Sequence, residues 1–251
     1  MLLIIDVGNT NIVMGIYKSD ELIYTFRIRT IRDTTYDEFS VLVNSLLSTN
    51  GINLKEIKKI VVSSVVPHVV PFLDSFCRKY IGTTPYFVNA ETFTGMPILY
   101  KNPKELGSDR IVNCYAAFHK YQTSLIVIDF GTATTFDAVS SKGEFLGGVI
   151  APGIKISSEA LFQKASKLPA IEMEKPKDVI GKDTISCMQS GIIYGYAGLV
   201  DGLVKRIKRE MNESPKVIAT GGLASLIMEI SETIEFIEPS LILDGLKLIK
   251  L

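Results

Sequence analysis

Leu2-Leu-Ile-Ile-Asp6-Val7-Gly8-Asn9-Thr10-Asn11 and, 123 residues on, Leu125-Ile-Val-Ile-Asp129-Phe-Gly131-Thr132-Ala-Thr134 are one pattern written twice. Each is an unbroken apolar run closed by a carboxylate, with a glycine two places on and then small hydroxyl or amide side chains. Such runs read as buried strands feeding tight turns. After the first, Ile12–Tyr17 and Leu22–Ile28, separated by Ser19-Asp20, complete an antiparallel meander. After the second, Thr135–Val139 and Phe145–Ile150 do the same around Ser141-Lys142-Gly143. A helix opening at Thr34–Phe39 and running to about Leu47 precedes a buried strand, Lys59–Ser64. In the second half Lys216–Ala219 takes that strand's place and runs into Thr220-Gly221-Gly222. The repetition predicts a duplicated α/β fold whose two halves enclose a ligand cleft. The boundary is expected near a helix from Asp109 to Lys120, giving halves of residues 1–116 and 117–251.

Composition removes several function classes. The 27 basic and 27 acidic side chains cancel, and no basic cluster of the kind that neutralises nucleic-acid phosphates is present. Lys205, Arg206, Lys208 and Arg209 end an apolar-periodic segment and read as a solvated helix C-terminus. Cys77, Cys114 and Cys187 are widely spaced and fit reduced thiols rather than a disulfide framework. His68 and His119 have no second ligand at metal-site spacing. Met1–Asp6 is too short for a signal peptide, and no apolar run approaches the ~18 residues that span a bilayer. The expectation is a cytoplasmic protein with no nucleic-acid or membrane partner.

The two acid-tipped turns have the chemistry of a phosphate clamp. Glycine lets backbone N–H groups approach a polyphosphate, and short hydroxyl or amide side chains add donors. A strand-end carboxylate such as Asp6 can hold Mg²⁺, which takes oxygen ligands and keeps several waters. One copy alone could equally be an ordinary hairpin turn; two copies favour the clamp. Thr220-Gly221-Gly222 before a helix expected over Leu223–Ile230 would open that helix's N–H groups to an adenosine, or would be only a tight turn. In Gly107-Ser108-Asp109-Arg110, Ser108 is the expected N-cap of the following helix. Asp109 could accept a proton from a substrate hydroxyl and Arg110 could pair with a carboxylate or phosphate. Spacing alone is equally met by residues that merely decorate a helix start. Gly191, Gly195, Gly198 and Gly202 fall on one stripe of a helical segment, where each costs about 1 kcal/mol relative to Ala. That cost predicts close packing against another helix, within the chain or across a dimer. The proline-bearing stretch Lys164–Ile180 reads as a long loop, possible cover for an active site.

With those residues in view, the chain resembles the type III pantothenate kinases, a branch of the superfamily that holds acetate and sugar kinases, actin and heat-shock chaperone ATPases. The resemblance runs end to end. It rests on Asp6–Val13, Gly107–Arg110, Asp129–Thr134, Gly147-Gly-Val-Ile-Ala-Pro-Gly153 and Thr220–Gly222. Gly107–Arg110 together with Gly147–Gly153 is the specific part; the other motifs would suit many superfamily members.

The resemblance implies two duplicated ribonuclease H-like (actin-like ATPase) domains, each with a mixed five-stranded sheet, around an interdomain active-site cleft. It implies transfer of the ATP γ-phosphoryl group to pantothenate at the start of coenzyme A synthesis. ATP would be bound by Asp6, Val7, Gly8, Asn9, Thr10, Asn11, Ile12, Val13 and Thr132, to which the chemistry of the residues adds Gly221 and Gly222 for adenosine and Asp6 for Mg²⁺. Asp109 would be the general base. Pantothenate would lie against Tyr100, Gly107, Ser108, Asp109, Arg110 and Thr184. Asp129 would hold a monovalent cation, K⁺ or NH₄⁺. Family members are homodimers whose partner subunit helps form the substrate pocket. A kinase for another small hydroxy or carboxylic acid, or a nucleotide-binding regulator without turnover, is the rival on the same fold.

Overall fold

The computed structural model describes residues 1–31 and 33–249. They form two compact units: Met1–Gly95, Lys101–Ala116 and Ile242 onward in the first, and Met96–Tyr100 and Ala117–Leu241 in the second.

The first unit is built on a five-stranded sheet. Its strands are β1 (Leu2–Val7), β2 (Asn11–Lys18), β3 (Glu21–Arg29), β4 (Lys59–Ser64) and β5 (Tyr86–Phe87), in the order β3-β2-β1-β4-β5. β1 pairs antiparallel with β2 and parallel with β4. Leu3, Ile4, Ile5 and Val7 are all buried, the continuous apolar run of a strand covered on both faces. Helix α1 (Tyr36–Ser48) starts on a capping box in which Thr35 Oγ1 accepts from Glu38 N and the Glu38 carboxylate accepts from Thr35 N. Phe39, Val43 and Leu47, one turn apart, face the core; Phe39 meets the rings of Phe72 and Phe76 edge-on at 5.2 and 5.0 Å. Phe72 and Phe76 belong to α2 (Val70–Phe76), which runs on through one π turn to Gly82 at φ 83°.

The second unit repeats the plan. Its strands are β6 (Leu125–Phe130), β7 (Ala133–Val139), β8 (Phe145–Pro152), β9 (Lys216–Gly221) and β10 (Phe236–Ile237), in the order β10-β9-β6-β7-β8. Read from β8, that is the first sheet's order strand for strand. Asp6 lies opposite Val13 and Ser63, and Asp129 opposite Thr135 and Thr220; the second hairpin turn is one residue shorter, with three residues between Phe130 and Thr134 against four between Val7 and Ile12. The expected mixed five-stranded α/β duplication is therefore present. Helix α4 (Ile154–Lys164) follows β8, and the 28-residue α5 (Thr184–Met211) covers the sheet with Ile193, Ala197, Val200 and Val204. A capping box between Asp183 and Ser186 starts α5, and Asn212 in the left-handed region ends it. Residues 165–183 between α4 and α5 contain no helix or strand, as their prolines and mixed charge predict.

Two local readings need correction, and a third is narrowed to one of its alternatives. Ser108 is not an N-cap but the first residue of α3 (Ser108–Tyr121); the Gly107 carbonyl accepts from Ile111 N instead. The helix expected over Leu223–Ile230 is only α6 (Ala224–Met228), because Leu223 stays outside helical geometry. The glycine stripe of α5 does not pack inside the chain: a Cβ on Gly191, Gly195 or Gly198 would meet nothing within 4 Å among the described residues. Helix α7 (Leu241–Leu248) is amphipathic, and from Ile242 it belongs to the first unit. There Gly245 sits against Val112, and Lys247 Nζ donates to Asp20 O at 2.7 Å. No disulfide joins Cys77, Cys114 or Cys187. Among the described residues no helix is long and apolar enough to cross a membrane.

Candidate active site

In the first unit the β1–β2 turn is drawn tight by Gly8 N donating to Asn11 O at 2.9 Å. Thr30, just past β3, reinforces it: Thr30 Oγ1 donates to Gly8 O at 2.7 Å and Thr30 N to Thr10 O at 3.0 Å. Asn9 and Thr10 are left exposed at the tip, and Asp6 and Val13 are half-buried at its base. Val7 and Ile12 are fully buried and hold the turn to the core.

The neighbouring strand end, Ser63-Ser64-Val65, receives the start of α3. Ser108 Oγ lies 3.0 Å from Ser63 Oγ and accepts from Ser64 N at 3.0 Å. One residue on, the Asp109 carboxylate accepts from Arg110 N at 2.8 Å. Gly107 makes this fold-back possible, since a Cβ there would stand 2.5 Å from Asp109 Oδ1 and 3.4 Å from Val65 Cγ1. Burial pushes the Asp109 pKa up, against the opposing pull of the Arg110 amide and guanidinium. Arg110 is itself buried, at 7% exposure. A desolvated carboxylate thus stands at the start of α3 with a buried arginine as its chain neighbour.

In the second unit the corresponding turn closes with Gly131 N donating to Ala133 O at 3.1 Å, leaving Thr132 exposed. Two glycines hold it from either side. Gly153, the N-cap of α4, donates to Thr132 O at 3.1 Å, and a Cβ there would overlap the Gly131 and Thr132 carbonyls. Gly221, at φ 92°, passes so close to β6 that a Cβ would lie 2.6 Å from Phe130 O and 2.7 Å from Asp129 Oδ1. Gly222 has open space around it. The sequence missed the role of Gly153 as a brace for Thr132, and that of Tyr196, whose hydroxyl donates to Pro152 O and lies 3.0 Å from Thr134 Oγ1. Repetition of the glycine-rich motif beside the second turn was the available signal for the first.

The remaining predicted residues are Tyr100 and Thr184. Tyr100 stacks edge-on against Phe145, with ring centroids 6.1 Å apart. Thr184 opens α5 and lines a cavity of about 700 Å³ with Leu161, Leu168, Lys182, Cys187 and Met188, none of them from the Asp129 turn. Among the described residues no group of three or more His, Cys, Asp or Glu could form a metal cage.

The sequence model of the type III pantothenate kinase family matches residues 2–206, which include both acid-tipped turns, the Gly107–Arg110 segment and Thr184. The chain belongs to that family. Type III pantothenate kinases similar to it include that of Desulforapulum autotrophicum, 56% identical over 99% of this chain and 96% of the relative's. Another is that of Syntrophotalea carbinolica, 52% identical over 100% of this chain and 98% of the relative's. Among solved structures, a Campylobacter jejuni protein assigned to the Baf family of transcriptional activators aligns with TM-score 0.63 and 21% identity over 98% of this chain and 95% of its own. A ROK hexokinase from Thermus thermophilus aligns with TM-score 0.54 and 11% identity over 98% and 96%. At such identities these structures establish the fold, that of the actin-like ATPases and sugar kinases, and nothing further.

Proposed function

We propose that this chain transfers the γ-phosphoryl group of ATP to the primary hydroxyl of pantothenate, giving 4′-phosphopantothenate, the first step of coenzyme A synthesis. The observation that carries the reading is the desolvated Asp109 carboxylate, held at the start of α3 against the strand neighbouring that of Asp6. Phosphoryl transfer asks mainly for positioning and electrostatic stabilisation. The amides and hydroxyls of Gly8–Asn11 and Gly131–Thr132 orient the polyphosphate. Asp109 accepts a hydrogen bond from the attacking hydroxyl and takes its proton late. Arg110 neutralises the pantothenate carboxylate, with Tyr100, Gly107, Ser108 and Thr184 shaping its pocket.

The half-buried Asp6 carboxylate suits Mg²⁺, which relies on substrate phosphates and waters for most of its ligands. Bound there it would neutralise charge on the transferring phosphates. A monovalent cation is assigned to the Asp129 carboxylate, which stands at the turn end of β6. The exposed glycine face of α5 supports a homodimer with the active site at or near the subunit interface, where a second helix could approach closely. The ATP substrate makes the cytoplasm the expected compartment.

The decisive assay follows ADP release by the purified protein with ATP, Mg²⁺ and a panel of small acids and sugars. Turnover with pantothenate alone is expected; equal turnover with another acceptor, or none with any, would overturn the assignment. Rates should fall when K⁺ and NH₄⁺ are replaced by Na⁺, and an unchanged rate would remove the cation from Asp129. Sedimentation equilibrium at micromolar concentration should give twice the 27.7 kDa chain mass, a monomer refuting the dimer.

A further inference from the structure

We propose that Ser63 is a positioning residue for phosphoryl transfer, its hydroxyl fixing the start of α3, and so Asp109, through Ser108. The inference rests on the reading of Asp109 as the base.

Ser63 is fully buried in β4, directly across the sheet from Asp6. Paired residues on adjacent parallel strands project to the same face, so Ser63 shares the face of Asp6. Among the described residues its hydroxyl has one hydrogen-bond partner, Ser108 Oγ at 3.0 Å. Ser108 is 5% exposed and uses its remaining capacity on the strand backbone: it accepts from Ser64 N at 3.0 Å and faces Ser64 O at 3.3 Å. With one proton to donate, Ser108 gives it to Ser64 O and accepts from both Ser64 N and Ser63 Oγ. Ser63 is thereby the donor, and the network is filled.

The consequence is a three-point attachment of α3 to the end of β4. The points are Ser63 Oγ, Ser64 N and Ser64 O, all of which meet Ser108 Oγ. Asp109 follows immediately, so any tilt of Ser108 swings its carboxylate. In the second unit Thr220 occupies the same register beside Asp129, buried like Ser63, so a hydroxyl stands beside the acid-tipped strand in both halves.

Steady-state kinetics and thermal melts of Ser63→Ala, Ser63→Thr, Ser108→Ala, the Ser63→Ala/Ser108→Ala pair and Asp109→Asn test this. Loss of one buried hydroxyl hydrogen bond that orients the base should lower kcat of Ser63→Ala about tenfold with the KM for ATP within about twofold. Ser63→Thr keeps the hydroxyl but adds a methyl group to a full core, so it should melt lower than Ser63→Ala yet turn over faster. Opposite orders of kcat and melting temperature are what a packing role cannot produce. The double variant should lose no more than Ser108→Ala alone. A Ser63→Ala kcat at half the wild-type value or above, or a Ser63→Thr kcat no better than that of Ser63→Ala, overturns the proposal. Should Ser63→Ala not fold, Ser63→Cys, nearly isosteric but a poor donor, takes its place with the same expected loss and the same refuting result. If instead Asp109→Asn keeps wild-type kcat, the base assignment itself falls; if it is inactive while the Ser63 variants are normal, only the positioning role falls.

Discussion

Replacing Gly153 by alanine should damage ATP use through Thr132 while leaving pantothenate recognition alone. Gly153 has φ −68°, open to any residue, so the substitution brings no backbone strain and its effect is steric. The new methyl would lie 2.7 Å from Gly131 O and 2.8 Å from the Thr132 carbonyl carbon, and nearer still to Thr132 O. An ordinary C···O contact is about 3.3 Å, so the Gly131 carbonyl alone must retreat by about 0.6 Å. Overpacking of this kind costs about 1–3 kcal/mol, and alanine is also a poorer N-cap than glycine. A loss near 2 kcal/mol lowers the melting temperature by about 4–8 °C in a chain of this size. A shift of half an ångström in groups that orient a polyphosphate costs about tenfold in kcat/KM for ATP. Gly147→Ala is the control: its Cβ would meet nothing within 4 Å but sits at φ 125°, so it should lower stability without changing the KM for ATP. Calorimetry and coupled ADP-release kinetics with each substrate varied in turn measure both effects. Wild-type kcat/KM for ATP in Gly153→Ala, or an equal loss in Gly147→Ala, would refute the reasoning.

Asp109→Asn should lower kcat by about 10²–10⁴ while raising the melting temperature at neutral pH. The sign follows from burial. A carboxyl whose pKa is raised in the fold favours folding at low pH, and that contribution is lost as pH rises through the folded value, so an amide should relieve it. A melting temperature below wild type at pH 7 would contradict this. Gly195→Ala should add up to about 1 kcal/mol of stability to an isolated chain, because the position is open and helical. If α5 is the dimer contact the same change should instead shift sedimentation towards monomer; no change in either quantity would leave the glycine face without a role. Asp201, 9% exposed on α5, accepts from Ser231 Oγ at 2.6 Å, Glu232 N at 3.1 Å and Thr233 Oγ1 at 2.7 Å. Burial raises its pKa but these bonds and Lys205 outweigh it, so the net shift is downward and the stability it supplies is lost as pH falls below about 4. Asp201→Ala should cost about 2–3 kcal/mol in urea at pH 7 and progressively less below pH 4; a constant gap would count against the ion.

Strands with long apolar runs were legible because burial on both faces leaves no other composition open to them. β1, β4, β6 and β9 fall where the sequence places them, and the duplication follows. β5 and β10 were not legible, since two residues carry no period. The error at Ser108 has a different origin. A serine before a helical run caps it by default, and only the tertiary proximity of β4 redirects its hydroxyl to Ser64 N. Glycines divided the same way. Nothing local separates Gly153 and Gly221, each wedged against a carbonyl, from Gly191 and Gly195, where a Cβ would meet nothing within 4 Å among the described residues. The chemistry of a site was readable in the residue types; the contacts that aim those residues were not.

The return of α7 to the first unit has a bearing on how the molecule is made. Translation at about 5–20 residues per second would expose residues 1–116 long before Ile242 leaves the ribosome. Until then the apolar surface near Gly15 and Val112 that α7 covers stays open to other chains or to chaperones. The half synthesised first is thus the half completed last, and nascent chains halted before residue 242 should show it as the more protease-sensitive of the two.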